Sequence, residues 1–356
     1  MAFMPENSKI SPPDFEAVHA RLREFPVQFR TEIHRIIVGQ EEVLDQLLIA
    51  LLCNGHVLLT GVPGLAKTLL IKTLANLFRL NFNRIQCTPD LMPSDISGVE
   101  ILDENEQERR FRFIEGPVFT NLLLADEINR TSPRTQAALL QAMQEKQVTV
   151  AGKTYQLTHP FIVFATQNPI DSEGTYPLPE AQLDRFLFNV EMEYPSATEE
   201  AEIAVQSQTQ SQEVNAFFDG SDLLKIQQLV DEVPIAPHVV DWIVQLVRAT
   251  RPQDSSVEPI KKYVEWGAGV RASQNLVRAA RAHALLKGDS VVSKEHVRYV
   301  APSVLRHRII VNFIGEAEQW TPIRLIELLL QNQLSKRFQA FFAGNHCASS
   351  SLRFVR

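Results

Sequence analysis

Residues 61–68 read Gly-Val-Pro-Gly-Leu-Ala-Lys-Thr, a set of types and spacings suited to one task, holding a chain of phosphates. Backbone N–H groups at the start of a helix bind anions, because the helix dipole and unpaired donors both point at the charge. Gly61 and Gly64 permit a tight turn and close approach of backbone to ligand. Val62, Pro63, Leu65 and Ala66 complete the loop, and Leu69 continues the helix behind it. Lys67 is placed to reach the β- and γ-phosphates, and the Thr68 hydroxyl to ligate Mg²⁺. Ala66 stands where a second glycine is usual. As the smallest residue with a Cβ it still allows close approach, provided its φ is negative.

Four further patterns carry chemistry. The apolar run Leu122-Leu123-Leu124-Ala125 delivers Asp126 and Glu127, one acid to hold magnesium and one to act as general base on water. Either acid alone would be a solvated strand end; the pair, following a phosphate loop, is a stronger signal. A second apolar run, Phe161 to Thr166, leads to Asn168, a neutral group for the γ-phosphate or the attacking water, or else a turn-former before Pro169. Arg185 in Leu-Asp-Arg-Phe and Arg271 in Gly-Ala-Gly-Val-Arg are candidates to stabilise charge on a transferring phosphoryl group. The simpler alternatives are an ion pair of Arg185 with Asp184 or Glu180, and a solvated Arg271.

The surrounding elements must present these residues together. His56 to Thr60 reads as a strand that feeds the glycine loop, and Lys67 to Phe78 as the helix after it. Four more strand-like runs follow, Asn83 to Cys87, Asn121 to Ala125, Phe161 to Thr166 and Phe188 to Met192, mostly separated by helical patterns. Such alternation predicts a parallel α/β sheet with its ligand at the carboxyl ends of the strands. Helices are expected over Asp14 to Ile37 and Glu41 to Leu52. Two insertions break the rhythm: a strand pair over Ile96 to Phe113 around Asp103-Glu104-Asn105-Glu106, and a hairpin over Val148 to Leu157. From Ser221 to about Ile310 the pattern reads as all helix, and it continues as an apolar helix over Thr321 to Leu330. We therefore expect an arm and α/β core in residues 1–195, with residues 1–13 a loose arm and a Ser/Gln-rich loop at 206–212. A helical lid is expected in 196–332 and a basic tail in 333–356.

Composition narrows the classes. The chain has 356 residues and a net charge of −7, which argues against nonspecific nucleic-acid binding. Three cysteines without C-x-x-C spacing suggest neither a zinc site nor a disulfide framework. No run approaches a membrane span, and a cytoplasmic protein is expected.

Gly-Val-Pro-Gly-Leu-Ala-Lys-Thr, Ala-Asp-Glu-Ile-Asn-Arg, Ala-Thr-Gln-Asn-Pro and Leu-Pro-Glu-Ala-Gln-Leu-Asp-Arg-Phe together resemble the MoxR family of AAA+ ATPases, over Phe25 to Leu330. Alanine at the Ala66 position is itself usual there. The resemblance implies an ATP- and Mg²⁺-dependent ATPase with a P-loop core of strand order 5-1-4-3-2, flanked by helices, and a smaller all-helical lid. It implies a homo-oligomer, a hexameric ring with nucleotide between subunits. Asn168 matches sensor 1, Arg185 the arginine finger and Arg271 the sensor-2 arginine. Val38-Gly39-Gln40 matches the segment lining the adenine, with Val38 and Gly39 in contact. The insertions match the helix-2 insert and the pre-sensor-1 hairpin, which face the ring pore or partners. Such proteins are similar to chaperones that remodel or activate partner complexes, often with a von Willebrand factor A domain. The tail after residue 332 departs from the family's ending. A metal-chelatase-like motor subunit is the alternative; a nucleic-acid-dependent ATPase fits less well, since the hairpin tip offers only Lys153 as a base.

Overall fold

Apolar runs bounded by polar turns fold here as a parallel sheet, because strands covered on both faces have no solvated side to keep polar. The computed structural model describes residues 12–105, 108–169, 174–205 and 214–332. The arm before residue 12, the turn residue Glu106, the Ser/Gln-rich stretch 206–212 and the basic tail from 333 lie outside them. Two helices open the chain, α1 (Pro12–Ile33) and α2 (Glu41–Leu52), followed by β1 (Val57–Thr60), α3 (Lys67–Leu77) and β2 (Phe82–Gln86). Then come α4 (Pro93–Ser97), β3 (Gly98–Asn105), β4 (Glu108–Glu115), β5 (Leu122–Asp126) and α5 (Pro133–Glu145). The hairpin β6 (Gln147–Val150) and β7 (Lys153–Gln156) precedes β8 (Ile162–Gln167), α6 (Glu180–Leu183), β9 (Phe188–Glu191), α7 (Ala197–Val205) and α8 (Gly220–Glu232).

The five-stranded sheet has the order β2-β5-β8-β1-β9, and all its pairings are parallel. Counting only these core strands, the order is 5-1-4-3-2, as the resemblance implied. Alternation places Leu58, Ile85, Leu123, Ala125, Val163 and Ala165 in one core cluster with Leu139, Leu140 and Met143 of α5. Phe25 of α1 packs against Phe29, Phe78 at the end of α3 and Phe218, and Phe78 also stacks on Phe218, with ring centroids 5.0–6.0 Å apart.

The expected helix over 14–37 ends earlier, at Ile33, with a hydrogen-bonded turn from Ile37 N–H to Ile33 O at 2.8 Å. Consecutive left-handed residues, Gly39 and Gln40, then reverse the chain into α2. Both inserted hairpins form. In the first, the strands run through Asp103-Glu104-Asn105, with Asn105 opposite Glu108, so the reversal falls later than expected.

The chain divides into two compact units. One runs to Pro234 and includes Arg281–Val291; the other comprises Ile235–Ala280 and the chain from Val292. Thus α7 and α8 group with the sheet unit. Their packing explains it: α8 lies against α1 and α2, and Gln227 Nε2 donates to Leu51 O at 3.0 Å. The second unit is built from α9 (Pro237–Ala249), α10 (Glu258–Tyr263), β10 (Val264–Trp266), the start of α11 (Val270–Lys287), α12 (Lys294–Leu305), β11 (Ile310–Val311), α13 (Phe313–Ala317) and a helix over 322–332. It is not purely helical, since β10 and β11 pair antiparallel. Val264 is buried and Glu265 exposed there, a change too short to stand out from the helical pattern. Among the described residues, no helix is long and apolar enough to cross a membrane.

One buried titratable group reports how this core depends on pH. His56 accepts a hydrogen bond from Val163 N–H at Nδ1 (3.0 Å), so Nε2 carries the proton and donates to Met143 O (3.1 Å). Burial, and then the positive charge of Lys146, hold its pKa well below the ordinary 6.5, against the smaller opposing effect of the Met143 carbonyl. The unfolded chain therefore takes up a proton near pH 6.5 that the folded chain refuses. Stability from this residue is complete above that pH and declines below it, by about 1.4 kcal/mol per pH unit. His56→Gln keeps one acceptor and one donor. Urea midpoints between pH 7.5 and 5.5 are expected to fall less steeply in that variant than in the wild type; parallel slopes would show that His56 does not carry the effect.

Candidate active site

The helix that should receive phosphate begins without a cap. Ala66 precedes α3 in a left-handed conformation, φ 53 and ψ 25, with no side-chain hydrogen bond to the helix and no acid in the first turn. The first backbone bond of the helix runs from Leu70 N–H to Ala66 O, 2.9 Å. The amides of Lys67, Thr68 and Leu69 thus precede the regular ladder and have no side-chain cap, the arrangement an anion completes.

The positive φ of Ala66 corrects the sequence expectation that alanine would keep φ negative there. The left-handed region costs an alanine roughly 1 kcal/mol or more that glycine avoids. Gly64, at φ 88, meets that demand without a Cβ. Gly61 is needed for another reason: a Cβ there would stand 2.8 Å from Met192 O, the backbone that follows β9. Leu65 is buried beneath the loop, whereas Pro63, Gly64 and Leu69 are exposed.

Lys67 folds back over its own loop and its ammonium donates to Gly61 O. Burial draws its pKa below the ordinary lysine value, while the charges of Asp126 and Glu127 pull it back up. Those acids end β5, beside β8 and two strands from β1, so register alone brings them toward the loop. Gly61 N–H donates to Gln167 O at 3.3 Å, which ties the loop to the end of β8, immediately before Asn168. Asn168 is buried.

Side chains outside the sequence prediction organise the acids. Thr166, on β8, donates its hydroxyl to Asp126 Oδ1 at 2.6 Å and accepts Glu127 N–H at 2.8 Å. Arg84, on β2, donates to Asp126 Oδ2 through Nη2 (2.6 Å) and Nε (3.2 Å). Gln86 donates to Glu127 Oε2 at 2.8 Å, and Arg130 Nε lies 3.4 Å from that same oxygen. Behind them, the buried amide of Gln136 donates to Ile128 O, Thr131 O and Tyr176 O, joining the chain after Glu127 to the segment that leads into α6. Arg84 and Gln86 had a legible signal, polar residues two apart on β2, beside the strand that carries the acids. Thr166 sat in a quoted motif, and only the register of β5 on β8 shows its reach.

Arg185 follows α6 and is half-buried. Arg271 begins α11 in the second unit, exposed. Gly39 lies against the Glu199 side chain at the start of α7, and Val38 is half-buried beside it. Among the described residues, no group of three or more metal-ligating side chains gathers. Magnesium does not need one, since it keeps waters and phosphate oxygens and takes only one or two protein oxygens. The Thr68 hydroxyl and the Asp126 carboxylate fit that demand as hard oxygen donors.

Comparison with known proteins agrees with this geometry. Residues 56–188 match the family model described as ATPase family associated with various cellular activities (AAA), and residues 259–327 match the AAA lid domain. The chain is 44% identical over 301 residues to Chaperone MoxR1 of Mycobacterium tuberculosis, covering 84% of this chain and 79% of that protein. It is 30% identical over 314 residues to Protein MoxR of Paracoccus denitrificans, covering 83% and 90%. A solved structure of a candidate ATPase from Cytophaga hutchinsonii superposes with a TM-score of 0.82 at 40% identity, covering 89% of this chain and 98% of that one.

The strain at Ala66 is directly testable. Ala66→Gly is expected to raise unfolding stability by about 1 kcal/mol, because it removes the left-handed penalty without losing a contact. Denaturant titration measures it. A less stable variant would show that the alanine methyl packs more usefully than its backbone costs.

Proposed function

The chain belongs to the MoxR family of AAA+ ATPases, and from that premise we propose that it binds and hydrolyses Mg-ATP and uses the cycle to remodel or activate a protein partner. The observation that carries this reading is the uncapped start of α3, with Lys67 in its first turn and two acids at the end of β5 whose charges reach that lysine.

The roles follow from chemistry. The amides of Val62 and of residues 64–69 surround the phosphates, and Lys67 exchanges Gly61 O for β- and γ-phosphate oxygens. Thr68 and Asp126, the latter through water, hold Mg²⁺, which offsets charge on the phosphate oxygens. Glu127 accepts the proton of the attacking water, which needs its carboxylate to leave Gln86 and Arg130. Asn168 orients the γ-phosphate or that water without adding charge. Val38 and Gly39 line the adenine. Arg185 stabilises the transition state in a neighbouring subunit's site, and Arg271 answers the γ-phosphate from the lid. A hexameric ring in the cytoplasm, with a partner that carries a von Willebrand factor A domain, completes the reading. We keep 196–332 as the functional lid segment, with 333–356 a basic tail.

Phosphate release by purified protein tests it. Glu127→Gln is expected to bind ATP normally and to turn over about 10²- to 10⁴-fold more slowly. Equal turnover would remove the general-base role. Arg185→Ala is expected to keep ATP affinity and lose about 10³-fold or more in rate, with activity restored in part when it is mixed with Glu127→Gln, since each variant then supplies what the other lacks. Unchanged activity would leave Arg185 a surface residue.

A further inference from the structure

We propose that Arg84 is a built-in counter-cation for Asp126, which the divalent metal must displace to load the site; this rests on the reading of Asp126 as a metal ligand. Both oxygens of that carboxylate are already engaged. Oδ1 takes the Thr166 hydroxyl at 2.6 Å, and Oδ2 takes two donors of the Arg84 guanidinium, at 2.6 and 3.2 Å. A guanidinium and a hydrated dication on one carboxylate repel each other. The two therefore compete for Asp126.

Arg84 is built to leave. Its backbone is fixed by pairing with Leu124 across β2 and β5, so only the side chain has to move. That side chain is 46% exposed, whereas Asp126 is 17% exposed. Water can receive the departing guanidinium, while the carboxylate stays in place on Thr166. Hydration at the tip also keeps the ion pair weak enough to be exchanged.

The departure has a second consequence. Nη2 of Arg84 also donates to Gln86 Oε1 at 2.8 Å, which turns the Gln86 amide so that its Nε2 donates to Glu127 Oε2 at 2.8 Å. One guanidinium thus orients the partners of both acids. When the metal takes Asp126, Gln86 loses the contact that aims its N–H at Glu127. Metal loading and release of the second carboxylate are coupled through a single side chain.

The test is a Mn²⁺ titration of full-length protein with a fluorescent ATP analogue, reading analogue binding instead of turnover, in the wild type and in Arg84→Gln. The Mn²⁺ midpoint is expected to fall about two- to fivefold in the variant, the weight of a partly exposed ion pair, with analogue affinity in EDTA unchanged. An unchanged or raised midpoint would overturn the proposal. So would a lowered midpoint accompanied by weaker metal-free binding, because that pattern marks loss of a general positive field and not of a competitor for Asp126. Wild-type protein that fails to bind the analogue at any Mn²⁺ concentration would overturn the nucleotide reading itself, a result separable from the others.

Discussion

Two neighbouring carboxylates stand at the open end of an apolar sheet, and much of the local structure is arranged around them. Asp126 and Glu127 leave a strand whose preceding residues are fully buried. Thr166 donates to one and accepts the amide of the other, and Arg84, Gln86 and Arg130 complete the shell. The remaining negative potential is visible in Cys87, whose thiol is pushed up to about 12, first by burial and then by the two acids. Lys67 feels the same field with the opposite sign.

Backbone conformation serves the same site. Ala66 and Glu127, on opposite sides of the site, both occupy the left-handed region without being glycines. Each costs on the order of 1–3 kcal/mol, which the surroundings must offset. At Ala66 the conformation turns the chain sharply from loop into α3, so the amides that follow open toward the site. At Glu127 it lets the N–H reach the Thr166 hydroxyl while the side chain points back toward Gln86. Placement of strain beside the reactive groups is what a pre-organised site requires.

Much of this was legible in the residues. The core strands fall within a residue or two of the expected positions, and the central ones, β1, β5 and β8, are apolar runs with polar ends, the pattern left by strands covered on both faces. The glycine loop and the paired acids were readable from spacing. Three things were not. The sign of φ at Ala66 depends on how the loop is pulled into α3, which no residue type announces. The β10–β11 pair is too short to alternate visibly. The partners of the acids come from β2 and β8, residues 84–86 and 166, and only sheet register reveals that these strands flank β5.

The central claim is that backbone amides at the start of α3 and the ammonium of Lys67 hold the phosphates of a nucleotide. Calorimetric titration of Mg-ATP into wild-type protein and Lys67→Ala tests it most directly. The account predicts clear binding to the wild type and a loss of about tenfold or more in the variant, as expected when a charge-assisted contact to phosphate is removed. Equal affinity in the two proteins, or no binding to the wild type, would contradict it.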